Sequence, residues 1–146
     1  MKPSEFFNET QKQQITQAVK DAEKNTSGEI RVHIESDCPD DVLDRAAFMF
    51  AQLDIHKTKL RNGVLFYLSV NDRKFAILGD AGINAITPEN FWDEIKEIVI
   101  TNFKKGEFAT GLSTGIKMAG DALKKHFPYN ANDINELSDE ISFGKK

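Results

Sequence analysis

Two apolar runs, Val64–Val70 and Phe75–Leu78, flank the polar step Asn71-Asp72-Arg73-Lys74. Both runs are rich in β-forming residues, and the break between them is too short for anything but a hairpin. The first run is apolar on both faces, the pattern of a central strand covered on both sides in a layered α/β domain. The second run closes on Gly79-Asp80-Ala81-Gly82, which predicts a loop with unusual backbone angles. Upstream, Glu29–Glu35 alternates strictly. Ile30, Val32 and Ile34 fall on one face, and Glu29, Arg31, His33 and Glu35 on the other. That predicts a half-buried strand near a sheet edge.

Four segments have helical spacing. Residues 9–25 place Ile15, Ala18, Val19 and Ala22 on one face, with Asn8 or Thr10 as the cap. A polar turn, Ser36–Asp41, leads into a helix over about Asp41–Leu53, whose acidic first turn suits the positive end of the helix dipole. Thr87-Pro88 is expected to open a third helix, with Thr87 as cap and Pro88 in its first turn. Phe91, Ile95, Ile98, Val99 and Phe103 form its apolar stripe, and Lys105-Gly106 ends it. The last long helix, about Glu107–His126, is stopped by Pro128. Its Gly111 and Gly115 are expected to allow close packing against the sheet.

The order α-β-α-β-β-α-α predicts an α/β fold, a three-layer α/β/α sandwich with a mixed central sheet. The first two strands would be joined by a right-handed, Rossmann-like parallel crossover. The domain spans residues 1–128. A polar tail, 129–146, follows, either partly disordered or holding a short helix capped by Asn132.

Composition narrows the function classes. The chain has 146 residues, the common size of one domain, and a formal net charge of -4. That charge argues against general nucleic-acid binding, which needs a basic footprint. Cys38 is the only cysteine, so no internal disulfide and no cysteine-based zinc site can form. The start, MKPSEFFNETQ, lacks the apolar core of a signal peptide, and no apolar run approaches the length of a membrane span. A cytoplasmic location is therefore expected. No Gly-rich phosphate loop, nucleophile elbow or paired-histidine zinc motif is present.

The chain resembles the TPM domain family over roughly residues 8–128. The resemblance rests on Ser27-Gly28-Glu29-Ile30-Arg31-Val32, Asn62-Gly63-Val64-Leu65, Asp72-Arg73-Lys74, the Gly79–Ile83 loop, and Phe103–Phe108 leading to Gly111-Leu112. It implies an α/β/α sandwich, binding of divalent cations (Ca2+ in particular) and a phosphatase activity.

If the crossover is parallel, the ends of the first two strands lie side by side. That gathers Glu35, Asp37, Asp40, Asp41 and Asp44 near Asn71 and Asp72, at the edge that ligands favour in α/β sheets. Calcium takes six to eight oxygen ligands, which an Asp-rich loop can supply. Asp37, Asp40 and Asp72 are the foremost expected ligands of Ca2+ or Mg2+, with Asp44 beside them. The same aspartates also suit a capped helix and a solvated turn. The far end of the hairpin offers Asp80, as a ligand, a base or a turn residue. Arg73 is expected to contact phosphate if the domain is a metal-assisted phosphatase, and otherwise to pair with a carboxylate at the surface. The favoured expectation is a divalent-cation-binding domain with a structural or interaction role and a protein partner of unknown identity.

Overall fold

The computed structural model describes residues 2–130 and 135–144. Nine elements position the candidate residues: α1 (Glu9–Glu23), β1 (Glu29–Glu35), α2 (Val42–Gln52), β2 (Gly63–Ser69), β3 (Lys74–Gly79), α3 (Ala81–Asn84), α4 (Asp93–Lys104), α5 (Phe108–Lys124) and β4 (Ser142–Phe143). The sheet order is β3-β2-β1-β4. β1 runs parallel to β2 from Glu29↔Gly63 to Glu35↔Ser69, and β2 and β3 form the antiparallel hairpin.

Burial explains the layers. Ile30, Val32 and Ile34 of β1 and Val64, Phe66 and Leu68 of β2 turn one face toward α1, α4 and α5. There they meet Ile15, Val99, Leu112 and Ile116, all fully or almost fully excluded from solvent. The opposite face, with Leu65, Tyr67 and Ala76, packs on Ala46, Met49 and Phe50 of α2. The result is the expected three-layer sandwich with a mixed sheet, although, among the described residues, α2 is the only long helix on its side. Asn8 caps α1 reciprocally with Gln11, at 2.8 and 3.0 Å. Among the described residues, no helix is long and apolar enough to cross a membrane.

β1 lies near the sheet edge as expected, next to the two-residue β4, but it is not half-buried. Glu29, His33 and Glu35 on its polar face are only 4%, 2% and 7% exposed. α2 covers that face, and the tail covers the edge. β4 pairs parallel to β1 through His33↔Ser142 and Ile34↔Phe143. Arg31 Nη1 donates to the carbonyls of Ser138 and Glu140 at 3.1 Å each, and the Leu137 amide donates to Glu29 Oε1 at 2.6 Å. Alternation misled here because polar side chains that find partners can be buried as fully as apolar ones. The short helix expected at Asn132 lies outside the described residues. Residues 135–144 form the sheet's fourth strand and its approach.

The Gly79–Gly82 loop also differs. Neither glycine has a positive φ. The segment turns into α3, and Asp80 caps that short helix through the Ala81 amide. Gly82 is required by close approach instead: a β-carbon there would fall well inside contact distance of the Leu60 and Arg61 carbonyl oxygens. Gly82→Ala is accordingly expected to lower unfolding free energy by about 1–3 kcal/mol, measured by urea denaturation. An unchanged midpoint would refute the packing argument.

Thr87 is not a cap. Its hydroxyl donates to the Ile83 carbonyl at 2.8 Å, and α4 begins only at Asp93. Gly111 faces Val99, Asn102 and Phe103 of α4, and Gly115 lies under Val99 and Phe66. The glycines therefore let α5 approach a neighbouring helix as well as the sheet.

Candidate functional site

The edge formed by the C-terminal ends of β1 and β2 carries most of the predicted residues. The parallel ladder continues past both strands. The Val70 amide donates to the Glu35 carbonyl at 2.9 Å, and the Asn71 amide to the Ser36 carbonyl at 2.8 Å. This locks the 36–41 loop against the hairpin turn. Asp72 Oδ2 then accepts the Cys38 amide at 2.7 Å, and Asn71 Nδ2 donates to Asp37 Oδ1 at 3.2 Å. The buried Cys38 thiol donates to the Asp40 carbonyl at 3.1 Å. Asp41 caps α2 by accepting the Leu43 amide at 3.1 Å.

Asp37, Asp40, Asp44 and Asp72 are all exposed. They share one edge, yet among the described residues no three His, Cys, Asp or Glu side chains converge in a way that could hold a metal ion. A closed all-protein calcium cage is therefore not formed. Arg73 is exposed in the same turn, with φ at 54°.

Asp80 lies at the other end of the hairpin and is only 5% exposed. Both of its oxygens are taken by Arg61, with Nε–Oδ2 and Nη2–Oδ1 both at 2.7 Å. Oδ1 also accepts the Ala81 amide at 2.7 Å. This bidentate pair raises the Arg61 pKa further. An Asp neutralised in this way and used as a cap is a poor metal ligand or base. It joins the segment before β2 to the start of α3.

Glu35 departs most from expectation. It does not join the exposed aspartates. Its side chain turns under α2, where Oε1 and Oε2 accept Arg45 Nε and Nη2 at 2.8 and 2.6 Å. Tyr67 Oη donates to Oε1 at 2.5 Å, and His33 Nε2 stands 3.4 Å from Oε2. Burial alone would raise this carboxyl, but the Arg45 and Tyr67 hydrogen bonds outweigh it and hold the pKa at about 2. Burial lowers the His33 pKa against the pull of Glu35, and its Nδ1 lies 2.9 Å from Ser142 Oγ. Burial and the Glu35 bond push the Tyr67 hydroxyl up. With three donors on one carboxylate, the cluster ties β1, β2 and α2 together, while His33 Nε2 is buried without a hydrogen-bond partner.

Two further carboxyls escaped the sequence reading, at the N-terminal end of β1. Glu23 Oε2 accepts the Ile30 amide at 2.8 Å, while Glu29 holds Leu137. Burial, helped by neighbouring Asp139, pushes Glu23 up to about 10. Burial likewise brings Glu29 up to about 7, against the hydrogen bond from Leu137. The only available signal was Glu29 within the Ser27–Val32 motif, and nothing in the sequence pointed to Glu23.

Comparison with known proteins agrees with this architecture. No curated protein matches the chain. Among solved structures, the BA42 protein from the psychrophilic bacterium Bizionia argentinensis is 48% identical, with a TM-score of 0.91 over 96% of this chain and 97% of that one. The N-terminal domain of a protein from P. gingivalis is 19% identical, with a TM-score of 0.70 over 88% and 85% of the two chains. The N-terminal domain of a Corynebacterium glutamicum protein is 12% identical, with a TM-score of 0.60 over 97% and 82%. The last two share the fold alone. The TPM domain profile matches residues 1–122, which covers nearly all of the sandwich, and the chain belongs to the TPM domain family.

Proposed function

We propose that this TPM domain is a binding domain that takes a hydrated divalent cation on its acidic edge and serves a structural or interaction role. The observation that carries the reading is the extended ladder Val70–Glu35 and Asn71–Ser36, which brings Asp37 and Asp72 from two different loops onto one edge beside Asp40. Donors from two loops allow chelation that a single turn cannot provide. The donor set falls short of a full cage, so it fits a calcium ion that keeps part of its water and binds weakly. Magnesium, which holds its water more firmly, would bind more weakly still.

Calcium titration followed by calorimetry and amide NMR tests this. The expected dissociation constant is about 10⁻⁴–10⁻³ M, with shifts centred on residues 36–41 and 70–73. Asp37→Ala should weaken binding. So should Asp72→Asn, which keeps an acceptor for the Cys38 amide while removing the charge. Absence of binding at millimolar calcium, or shifts confined to residues 79–84, would overturn the assignment.

A second reading, a metal-assisted phosphatase, rests on Arg73, which the turn holds exposed next to Asp72. A guanidinium there could take a phosphate in bidentate fashion. Hydrolysis of a generic phosphomonoester that is abolished by chelator and by Asp72→Asn would favour it over the binding role.

A further inference from the structure

The tail meets the N-terminal end of β1 by setting its own carboxyls against two carboxyls of the body. Glu23, at the end of α1, and Glu29, which opens β1, flank a small cavity of about 160 Å³ that is also lined by Asn135 and Tyr129. Asp139 lies within hydrogen-bond reach of the Glu23 side chain, and Glu136 within reach of Glu29. Two carboxyl groups in such contact do not both ionise readily, so each pair either shares a proton or is driven apart.

The neighbouring donors decide where the protons sit. Both Asp139 oxygens accept from Asn135 Nδ2 at 3.2 Å, and the Glu136 oxygens accept from the Lys59 amide at 3.3 and 3.1 Å. The tail carboxyls are thus held as acceptors, and the protons fall to the body. Glu23 uses Oε2 for the Ile30 amide at 2.8 Å, and Glu29 uses Oε1 for the Leu137 amide at 2.6 Å. In each case the other oxygen is the natural seat of the proton.

The surrounding charges leave this need in place. Arg31 is drawn toward Asp139 and Glu140, but its Nη1 donates to the carbonyls of Ser138 and Glu140. The Lys59 side chain and Tyr129 are exposed. Glu140 adds further negative charge beside Arg31. Burial pushes Glu23 and Glu29 up, the direction that the geometry requires. His33, farther along β1 against Ser142, works the other way, because burial lowers it from its ordinary value of 6.5. Its influence therefore lies on the acid side.

We propose that the tail is a proton-operated clasp: residues 135–144 close on β1 while Glu23 and Glu29 carry protons, and let go of its edge as those protons are lost. The clasp covers the backbone of β1, where β4 pairs with His33 and Ile34 and the Gly144 amide donates to the Ile34 carbonyl at 2.8 Å. Release bares that edge to another strand. The sign follows from the raised values. The carboxyls support docking fully below their ordinary 4.5, and the support is lost as pH rises through about 7 for Glu29 and about 10 for Glu23.

Amide hydrogen exchange on the full chain, followed by NMR and corrected for the intrinsic rate, tests this. Between about pH 6.5 and about pH 8.5, protection of the Leu137 and Gly144 amides is expected to fall at least about tenfold, while Leu112 and Ile116 in α5 keep theirs. Glu23→Gln combined with Glu29→Gln removes both charges and keeps an acceptor for each amide. At the higher pH it should retain the protection that the wild type has at the lower one. Asp139→Asn, a change in the tail that leaves the body intact, should make the fall shallower. Circular dichroism of each variant checks the fold. Wild-type protection that stays level across this range, a fall as steep in Asp139→Asn as in the wild type, or a fall shared by α5 would overturn the proposal.

Discussion

Arg45→Ala is expected to cost about 3–5 kcal/mol of folding stability at neutral pH, because it strands a buried carboxylate. Glu35 is 7% exposed, and two of its three strong hydrogen bonds come from Arg45. Tyr67 alone cannot compensate a charge in that setting. The pH dependence follows from the direction of the shift. The folded pKa of Glu35, about 2, lies below the ordinary carboxylate value of 4.5. Its contribution is therefore complete above the ordinary range and is lost as pH falls from about 4.5 toward 2. In the variant, burial dominates and the carboxyl takes up a proton at higher pH. The stability deficit should then shrink on acidification. Urea denaturation of both proteins near pH 7 and near pH 4 measures this. A deficit below about 1 kcal/mol at neutral pH, or one that grows with acid, contradicts the stranded-charge account. The pairwise replacement Glu35→Leu with Arg45→Met should regain most of the loss, since it leaves no charge behind.

A chain ending after Asn130 is expected to lose about 2–4 kcal/mol, although it keeps all of the residues that match the TPM domain profile. The loss comes from the contacts of residues 135–144 with β1: the Leu137 amide on Glu29, Arg31 on two carbonyls, Ser142 on His33, and the Gly144 amide on the Ile34 carbonyl at 2.8 Å. Each such bond contributes about 1 kcal/mol net, and water replaces part of it when the strand is uncovered. Hydrogen exchange should locate the effect, with amides of β1 losing protection while those of α4 and α5 keep theirs. A shortened chain as stable as the full one would make the tail an ornament of the sheet and not a part of it.

The hairpin, the crossover and all four long helices were legible because each rests on a local pattern: two apolar runs around Asn71–Lys74, alternation in β1, and stripes such as Ile95, Val99 and Phe103. The polar face of β1 was not legible. Its burial depends on Arg45 from α2 and on Ser142 from the tail, and no local spacing announces partners so far away. The start of α4 was missed for a related reason. Thr87-Pro88 carries a sound capping signal, but the Thr87 hydroxyl is spent on the end of α3. The acidic edge was placed correctly by the parallel crossover, since Asp37 and Asp72 do come to adjoining loops. What the pattern could not reveal is which carboxylates are already occupied. Glu35 and Asp80 read like the exposed aspartates, yet each has an arginine across both of its oxygens.

The fourth strand bears on how the protein is made. His33 waits for Ser142, 109 positions later in the chain. At ordinary translation speeds, β1 and β2 leave the ribosome on the order of several seconds before β4 exists to pair with them. For that interval the nascent sheet presents an open parallel edge, the feature by which growing chains stick to one another. The polar residues of β1 then act as a safeguard. With Arg31, His33 and Glu35 alternating along it, the waiting strand is a poor template for a stray neighbour until its own C-terminal segment arrives.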